Sequence, residues 1–201
     1  MASKKKSSFV NMVVVLLIVA TVAATALASV YQVTKGPIEK AKLEKDKKAV
    51  GDVVPEFNND PVSESDTLVF NERDKLIFYP AKMDGELVGV AVKTYSDLGF
   101  TERIMIMVGF TPDGKIINTT VLEHKETPGL GDKMDIKKST WCEQFKGLDV
   151  NEIQDSDGDG ILIEVKKDQG TIDAITAATI SSRAFCDACE RAYDEFVKFE
   201  K

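Results

Sequence analysis

A cluster of hydroxyl side chains precedes the last segment of the chain that has helical periodicity. After about Ser181 the apolar residues recur at spacings of three and four, which predicts an amphipathic helix that closes the fold. The stretch just before it, DAITAATISS, begins at Asp173. The hydroxyl groups in and next to this stretch belong to Thr171, Thr176, Thr179, Ser181 and Ser182.

The chemistry that this cluster favours is anion binding. At the N-terminus of a helix, unpaired N–H groups and the macrodipole attract negative charge. Ser181, Ser182 and Arg183 add hydrogen-bond donors there, and the small side chains of Ala177 and Ala178 leave room for a ligand. The pattern therefore predicts a phosphate at the start of the helix. Capping of the helix by the hydroxyls is the alternative, although capping needs only one residue.

A second polar turn, HKETPGLG, runs from His124 to Gly131 and holds the single histidine of the chain. It contains one proline and two glycines, so a rigid turn would explain it. Closely spaced glycines also let a backbone approach a ligand, and polar loops beside such turns are common binding sites. The residues alone leave both explanations open.

A CxxC pair, Cys186 to Cys189, lies inside the predicted helix. Redox-active pairs usually lie at a helix N-terminus, where the dipole lowers the thiol pKa. Here the helix has already run for a turn, and Cys189 falls on its apolar stripe, so the position favours packing thiols. A local disulfide or a pair of iron–sulfur ligands is the alternative, but no second CxxC completes a four-cysteine set.

The sequence DSDGDG, Asp155 to Gly160, matches the first half of an EF-hand calcium loop. The position that should supply a bidentate glutamate is occupied by Lys166. The motif therefore favours a solvated turn, and we predict no metal site.

The composition excludes several classes of protein. A net charge of −7 argues against nucleic acid as a partner, because phosphate backbones are bound by basic surfaces. One histidine is too few for most multi-histidine metal sites, and three cysteines do not make a disulfide framework. The balance of 43% hydrophobic and 29% charged residues is typical of a folded globular protein.

An apolar run without charged residues, from Phe9 to Val30, has the length of about twenty residues that crosses a bilayer as a helix. We predict a membrane span over residues 9–31, after a short tail over residues 1–8. A cleaved signal peptide is the alternative, because the ALA sequence near the end of the run resembles a cleavage site. Lysines flank the run on both sides at similar density, so the positive-inside rule leaves the orientation open.

The segment that follows is charged and predicts a helical stalk over residues 32–54, with a helix beginning near Pro37. Pro55 and the polar residues after it predict the boundary of a domain over residues 55–201.

This domain should be β-rich. Strand-like segments are Leu76–Lys82, Glu86–Ser96, Glu102–Phe110, Lys115–His124 and Ile161–Lys167. The turn TPDGK should join the third and fourth as a hairpin. The uniformly apolar run Ile104–Val108 predicts an interior strand that is covered on both faces, and a short helical segment should surround Trp141. The sequence predicts an α+β fold on a membrane anchor.

The stretch DAITAATISSRA resembles the flavinylation motif of the FMN-binding domain family, Asp-x-x-(Thr/Ser)-Gly-Ala-(Thr/Ser), whose last hydroxyl residue takes FMN through a phosphoester bond. Asp173, Thr176, Ala178 and Thr179 match this motif, and Ala177 stands where the family usually has glycine. The sequence EHKETPGLGDKM resembles the second signature of the family, and the order of the segments is also that of the family.

Within this family the chain is most similar to the G subunits of Rnf-type ion-translocating electron transport complexes. The resemblance implies an electron carrier with covalent FMN on Thr179 and no independent turnover, hence no catalytic residues of its own. It also implies that the cofactor lies beside the second signature, which contains Glu126, Thr127, Gly129, Leu130 and Gly131.

The resemblance further implies a place in the cell and a set of partners. The N-terminus would be cytoplasmic and the flavin domain periplasmic, on the outer face of the bacterial inner membrane. The implied partners are the other subunits of the complex, membrane lipid and a flavin transferase that attaches the cofactor. The alternatives are a membrane-anchored binding or structural module without redox chemistry, and the C subunit of a sodium-translocating NADH:quinone reductase.

Overall fold

A computed structural model describes residues 8–69, 74–155, 158 and 160–199. Two helices and five strands are the main elements of this described part. They are α1 (Phe9–Val53), β1 (Asp66–Val69), β2 (Lys75–Met83), β3 (Glu86–Ser96), β4 (Ile104–Phe110), β5 (Ile116–Glu123) and α2 (Thr179–Phe199). Short 3-10 helices between β5 and α2 are Gly131–Met134, Trp141–Phe145, Val150–Glu152 and Lys166–Asp168.

The chain divides into two compact units, one ending at Glu44 and the other beginning at Lys45. The first unit contains the apolar part of α1, which is long and apolar enough to cross a membrane and is not buried within the protein. The prediction of a separate helix start near Pro37 was wrong, because α1 is continuous through this residue. A proline inside a helix removes one backbone donor but does not always end the helix.

The five strands form one antiparallel sheet in the order β1-β2-β3-β4-β5, which confirms the α+β prediction. Strand β4 pairs with β3 and β5, so it is interior as its apolar sequence predicted. Strand β1 is fully exposed and has no apolar alternation, so no pattern in the sequence predicted it. The turn between β4 and β5 has Gly114 at φ 91°, as the TPDGK pattern requires.

The prediction of a strand over Ile161–Lys167 was wrong. Ile163 and Val165 are buried at alternate positions, which is the burial pattern of a strand. However, the backbone N–H groups of Leu162 and Ile163 donate to the carboxylate of Glu190 on α2, at 3.1 and 2.8 Å. A side chain thus takes the place of a neighbouring strand, and only an isolated bridge pairs Val165 with Ile172.

Two hydrophobic cores lie in the unit that begins at Lys45. The larger one contains the buried face of α2 and residues of the sheet, with the rings of Phe110 and Phe196 stacked at 4.9 Å. The smaller one contains the last turns of α1, where Val50 and Val53 are buried together with Met107 of β4. The compact unit therefore begins at Lys45 rather than at Pro55, where the sequence predicted the boundary.

Candidate functional site

A pocket of about 330 Å³ lies between the two segments that the sequence analysis identified separately. One wall comes from the HKETPGLG turn and the other from the first turn of α2. The residues that line it are Phe100, Glu126, Thr127, Leu130, Gly131, Ala177, Ala178, Thr179, Ile180 and Ser181. The pocket therefore contains residues of both segments, which the fold brings together.

The first turn of α2 presents unpaired donors at this pocket. The helix begins at Thr179, and its first described hydrogen bond runs from the N–H of Ser182 to the carbonyl of Ala178 at 3.1 Å. Helix geometry leaves the preceding N–H groups without an intrahelical acceptor. Ala178 itself has no side-chain oxygen, so the residue at the cap position does not cap the helix. Ser181 and Ser182 do not cap the helix either, because their hydroxyls bond to Glu126 and Ile175, and an anion at the helix N-terminus stays a prediction.

The hydroxyl side chains have different functions. Ser182 is fully buried, where its Oγ accepts from the N–H of Ile175 at 2.9 Å and donates to the carbonyl of Ala178 at 3.0 Å. Ser181 is also buried, and its Oγ donates to Glu126 Oε2 at 2.5 Å. Both hydroxyls are thus engaged within the protein rather than turned towards a ligand. Thr176 is exposed and does not line the pocket.

Charged side chains from the loop before α2 lie beside Thr179. The Nζ of Lys167 donates to Thr179 Oγ1 at 3.0 Å. Arg183 forms a two-pronged ion pair with Asp168, with both distances at 2.6 Å, and this hydrogen bonding lowers the pKa of the Asp168 carboxyl. Arg183 is therefore committed to a carboxylate. Lys167 was missed by the sequence analysis because it ends a segment that has the apolar alternation of a strand.

Glu126 connects three segments of the site. Its side chain is buried, and Oε1 accepts from the N–H of Thr101 at 3.1 Å while Oε2 accepts from Ser181. The carboxylate is therefore engaged with one backbone N–H group and one hydroxyl group of the protein. His124 Nδ1 accepts from the N–H of Glu126 at 3.1 Å, so the histidine side chain is bonded within the turn.

The two glycines of the turn differ in their surroundings. At Gly131 a Cβ atom would lie 2.5 Å from Ser181 Oγ and 2.8 Å from Glu126 Oε2, so only glycine fits. Gly129 has φ +76° and open space around it, and it does not line the pocket. Gly129 is needed for the shape of the turn, whereas Gly131 is needed for the close approach of the turn to α2.

Apolar side chains form the rim of the pocket. Phe100, Leu130 and Ile180 are 65%, 39% and 46% exposed. Leu130 was expected from the second signature, whereas Phe100 and Ile180 were not among the predicted site residues. The available signal for Phe100 was an aromatic residue directly after a glycine in a polar loop.

The backbone of Asp173 is held by two neighbouring side chains, whereas its carboxylate is exposed. Gln144 accepts from its N–H at 2.8 Å, and Trp141 Nε1 donates to its carbonyl at 2.5 Å. The carboxylate is 71% exposed and pairs with Lys166 at 2.8 Å. The side chain of Asp173 is therefore accessible from outside the protein.

Ala177 has a left-handed backbone conformation, with φ 62°. This is the position at which the flavinylation motif usually has glycine, a residue that adopts positive φ without steric cost. The structure thus gives a physical reason for the glycine of the motif, which is the backbone turn that leads into α2. In this chain the turn is retained with alanine, at a cost of about 1 kcal/mol.

Cys186 and Cys189 are buried and unpaired within α2, and burial raises the pKa of both thiols. Burial confirms the prediction that they pack in the core.

The DSDGDG motif lies partly outside the described residues. The Asp155 carboxylate accepts from the N–H groups of Gly158 and Gly160, at 2.6 and 3.0 Å, and the described residues contain no group of three potential metal ligands.

The chain is similar to known proteins of one family. Residues 99–194 match the model of the FMN-binding domain. The G subunit of the ion-translocating oxidoreductase complex of Vibrio cholerae is 30% identical over 185 residues, which cover 90% of this chain and 86% of that protein. The proteins of the same name from Aliivibrio fischeri and Erwinia tasmaniensis are 32% identical over 199 residues and 36% identical over 184 residues. The similarity to the Aliivibrio fischeri protein covers 96% of this chain and 90% of that protein. The similarity to the Erwinia tasmaniensis protein covers 89% of this chain and 85% of that protein.

A solved structure, that of NqrC from Shewanella oneidensis, is similar with a TM-score of 0.48 and 25% sequence identity. The similarity covers 63% of this chain and 60% of that one.

The match over residues 99–194 shows that this is a protein with an FMN-binding domain. The residues that line the pocket all lie within this match. The similarity to the G subunits extends over nearly the whole chain, including α1. The chain therefore belongs to the family of the G subunits of ion-translocating oxidoreductase complexes.

Proposed function

We propose that this chain is the electron-carrying G subunit of an Rnf-type complex, with FMN bound covalently through a phosphoester to Thr179. The observation that carries the proposal is the position of Thr179. It is the hydroxyl residue of the motif that both lines the pocket and begins α2. A phosphate on its Oγ1 would face the unpaired N–H groups of the helix and the ammonium of Lys167.

The residues around the pocket fit FMN. Pockets for small molecules are typically about 300–1,000 Å³, and the cavity of about 330 Å³ lies at the lower end of this range. When bound, FMN supplies the redox chemistry, because its ring system accepts and releases electrons. The apolar rim provides a surface for a flat ring, and Gly131 lines the same pocket.

Asp173 has a role in the attachment of FMN under this proposal. Its carboxylate is exposed while its backbone is fixed by Gln144 and Trp141, so the side chain is presented to the flavin transferase or to its metal ion. The removal of this carboxylate leaves the fold intact, because its only described partner is the exposed Lys166.

The membrane arrangement is part of the same proposal. The apolar part of α1 spans the inner membrane, the N-terminus is cytoplasmic and the flavin domain is periplasmic. The names of the relatives support an assembly with further subunits of an ion-translocating complex. Covalent attachment retains a cofactor that cannot readily be replaced outside the cytoplasm.

The proposal is tested by the mass of the protein made in a host that contains a flavin transferase. The parent chain should carry the mass of FMN on the peptide that contains Thr179, and should give a fluorescent band in a denaturing gel. Thr179→Ala should lose this mass completely, and Thr179→Ser should keep it. The control is Thr176→Ala, which removes an exposed hydroxyl three residues away, outside the pocket. FMN that persists in Thr179→Ala would disprove the assignment.

A further inference from the structure

The loop before α2 contacts the flavinylation motif through three consecutive side chains. Lys166 pairs with Asp173 at 2.8 Å, Lys167 donates to Thr179 at 3.0 Å, and Asp168 pairs with Arg183 at 2.6 Å. The outer two of these contacts neutralise charges. The middle one places an ammonium on the hydroxyl oxygen that is proposed to receive FMN.

Backbone hydrogen bonds hold the loop that carries Lys167. The N–H of Lys166 donates to the carbonyl of Ile172 at 2.8 Å, and that of Ile172 donates to the carbonyl of Glu164 at 3.0 Å. Gly170 packs so closely that a Cβ atom would lie 2.2 Å from the Glu164 carbonyl oxygen. Backbone bonds on both sides of the 3-10 helix Lys166–Asp168 therefore orient its middle residue towards α2.

We propose that Lys167 is a positioning residue for the attachment of FMN, holding Thr179 Oγ1 in place and stabilising the negative charge that develops on it. This inference rests on the proposed function, since it takes Thr179 as the acceptor. Hydrogen bonds from a charged donor are shorter and stronger than neutral ones. An ammonium that already contacts the hydroxyl oxygen needs no rearrangement when that oxygen becomes more negative.

The chemical step requires an activated flavin phosphate, which is a phosphoanhydride of riboflavin phosphate bound by the transferase. The oxygen of Thr179 attacks the phosphorus, the Oγ1–P bond forms and the P–O bond of the anhydride breaks. The departing phosphate takes the electron pair of the broken bond, and the proton of the hydroxyl passes to a base on the transferase. Lys167 transfers no proton, and afterwards its ammonium faces the negative charge of the phosphodiester.

The test measures the initial rate of flavin attachment to the full-length chain, which is prepared without flavin and incubated with transferase and a flavin dinucleotide as donor. Lys167→Ala and Lys167→Gln should lower kcat about tenfold. This is less than the roughly 10²–10³ that one donor contributes in a site closed to water, because Lys167 is exposed and partly screened. Lys167→Arg should recover most of the rate. The matched control is Lys138→Ala, which removes another exposed lysine away from the pocket.

Chemical rescue distinguishes the loss of the ammonium group from an effect of the substitution on the fold. The native cysteines are buried, so in Lys167→Cys the introduced thiol is the one that reacts with bromoethylamine under native conditions. Aminoethylation restores an ammonium of nearly the length of lysine and should restore the rate.

Three results would overturn the inference. They are modification of Lys167→Ala at the parental rate, an aminoethylated protein that stays slow, and a loss confined to KM, which would make Lys167 a docking contact for the transferase. In each of these cases Lys167 does not position the acceptor. A parent chain that takes no flavin would instead contradict the proposed function.

Discussion

Ser181 Oγ donates a hydrogen bond to Glu126 Oε2 at 2.5 Å and thereby joins two segments that lie 55 positions apart in the chain. Both side chains are buried, with exposed fractions of 2% and 4%. The bond fixes the HKETPGLG turn against the first turn of α2, and the pocket lies between them. The two segments that resemble the signatures of the family are thus connected by a direct contact.

Ser181→Ala should destabilise the domain by about 1–3 kcal/mol, because it leaves an oxygen of a buried carboxylate without its donor. Urea unfolding of the flavin-free domain measures this difference. Thr176→Ala is the control and should change the free energy of unfolding by less than about 0.5 kcal/mol, since this hydroxyl is exposed. Equal stabilities for the two variants would show that the bond to Glu126 contributes nothing.

Ala177→Gly should stabilise the protein by up to about 1 kcal/mol, because relief of the steric cost of alanine at φ 62° exceeds the cost of the greater flexibility of glycine. Flavin attachment should be at least as complete as in the parent. The matched control is Ala174→Gly at a position without positive φ, where the greater flexibility of glycine should destabilise the protein. A loss of stability in Ala177→Gly would contradict the strain argument.

The sequence predicted the parts of the site that depend on local patterns. The periodicity of α2, the hairpin turn and the interior position of β4 each follow from residues that are close together in the chain. The contact of Lys167 with Thr179 did not follow, because it depends on how the loop after residue 160 folds back. That loop had the alternation of a strand, and a buried glutamate on α2 satisfied its backbone donors instead.

The end of α1 was assigned to a stalk for a similar reason. Its charged residues dominate the local composition, whereas Val50 and Val53 bury their side chains in a core whose other residues come from the sheet. Gly109 of β4 shows how close the contact is, since a Cβ atom there would lie 1.9 Å from the Val53 carbonyl oxygen. A contact of this kind between distant segments does not change the hydrophobic periodicity of either segment, so the sequence does not predict it.

A chain that begins at Lys45 should therefore fold alone as a soluble monomer, whereas one that begins at Pro55 should be less stable by several kcal/mol. The shorter chain lacks Val50 and Val53, and the burial of one valine contributes about 1.5 kcal/mol or more. It also lacks Asp46, which pairs with Lys93 at 2.8 Å. Thermal unfolding and size-exclusion chromatography measure the difference. Equal melting temperatures would show that the last turns of α1 are dispensable.

The stability of the domain should decrease at alkaline pH because of its thiols. Burial raises the pKa of Cys186 and Cys189 in the folded state, so these groups keep their protons where the unfolded chain loses them. Their contribution to stability is complete below the pKa of an unfolded cysteine, about 8.5, and is lost as the pH rises above it. Urea unfolding from pH 7 to 10 measures this loss. Cys186→Ala should reduce the slope of stability against pH, and an unchanged slope would contradict the argument.

The last prediction concerns the redox properties of the bound flavin and compares two glycines of one turn. Gly131→Ala forces the turn away from α2, because the new methyl group would collide with Ser181 Oγ and Glu126 Oε2. Thr179 is unchanged, so FMN attached there as proposed should remain while its visible spectrum and midpoint potential shift, since contacts with the protein tune the ring. Thr127→Ala, which alters a polar side chain of the pocket, should have a similar but smaller effect.

Gly129→Ala is the matched control for this pair. It introduces the same methyl group into the same turn. Because residue 129 has φ +76°, the alanine should cost about 1 kcal/mol of stability. The methyl group meets no atom within 4 Å, and residue 129 does not line the pocket. Redox titration followed by absorbance should therefore give the parental potential for Gly129→Ala and a shifted one for Gly131→Ala. Parental spectra and potentials in both Gly131→Ala and Thr127→Ala would show that the flavin ring lies away from this turn.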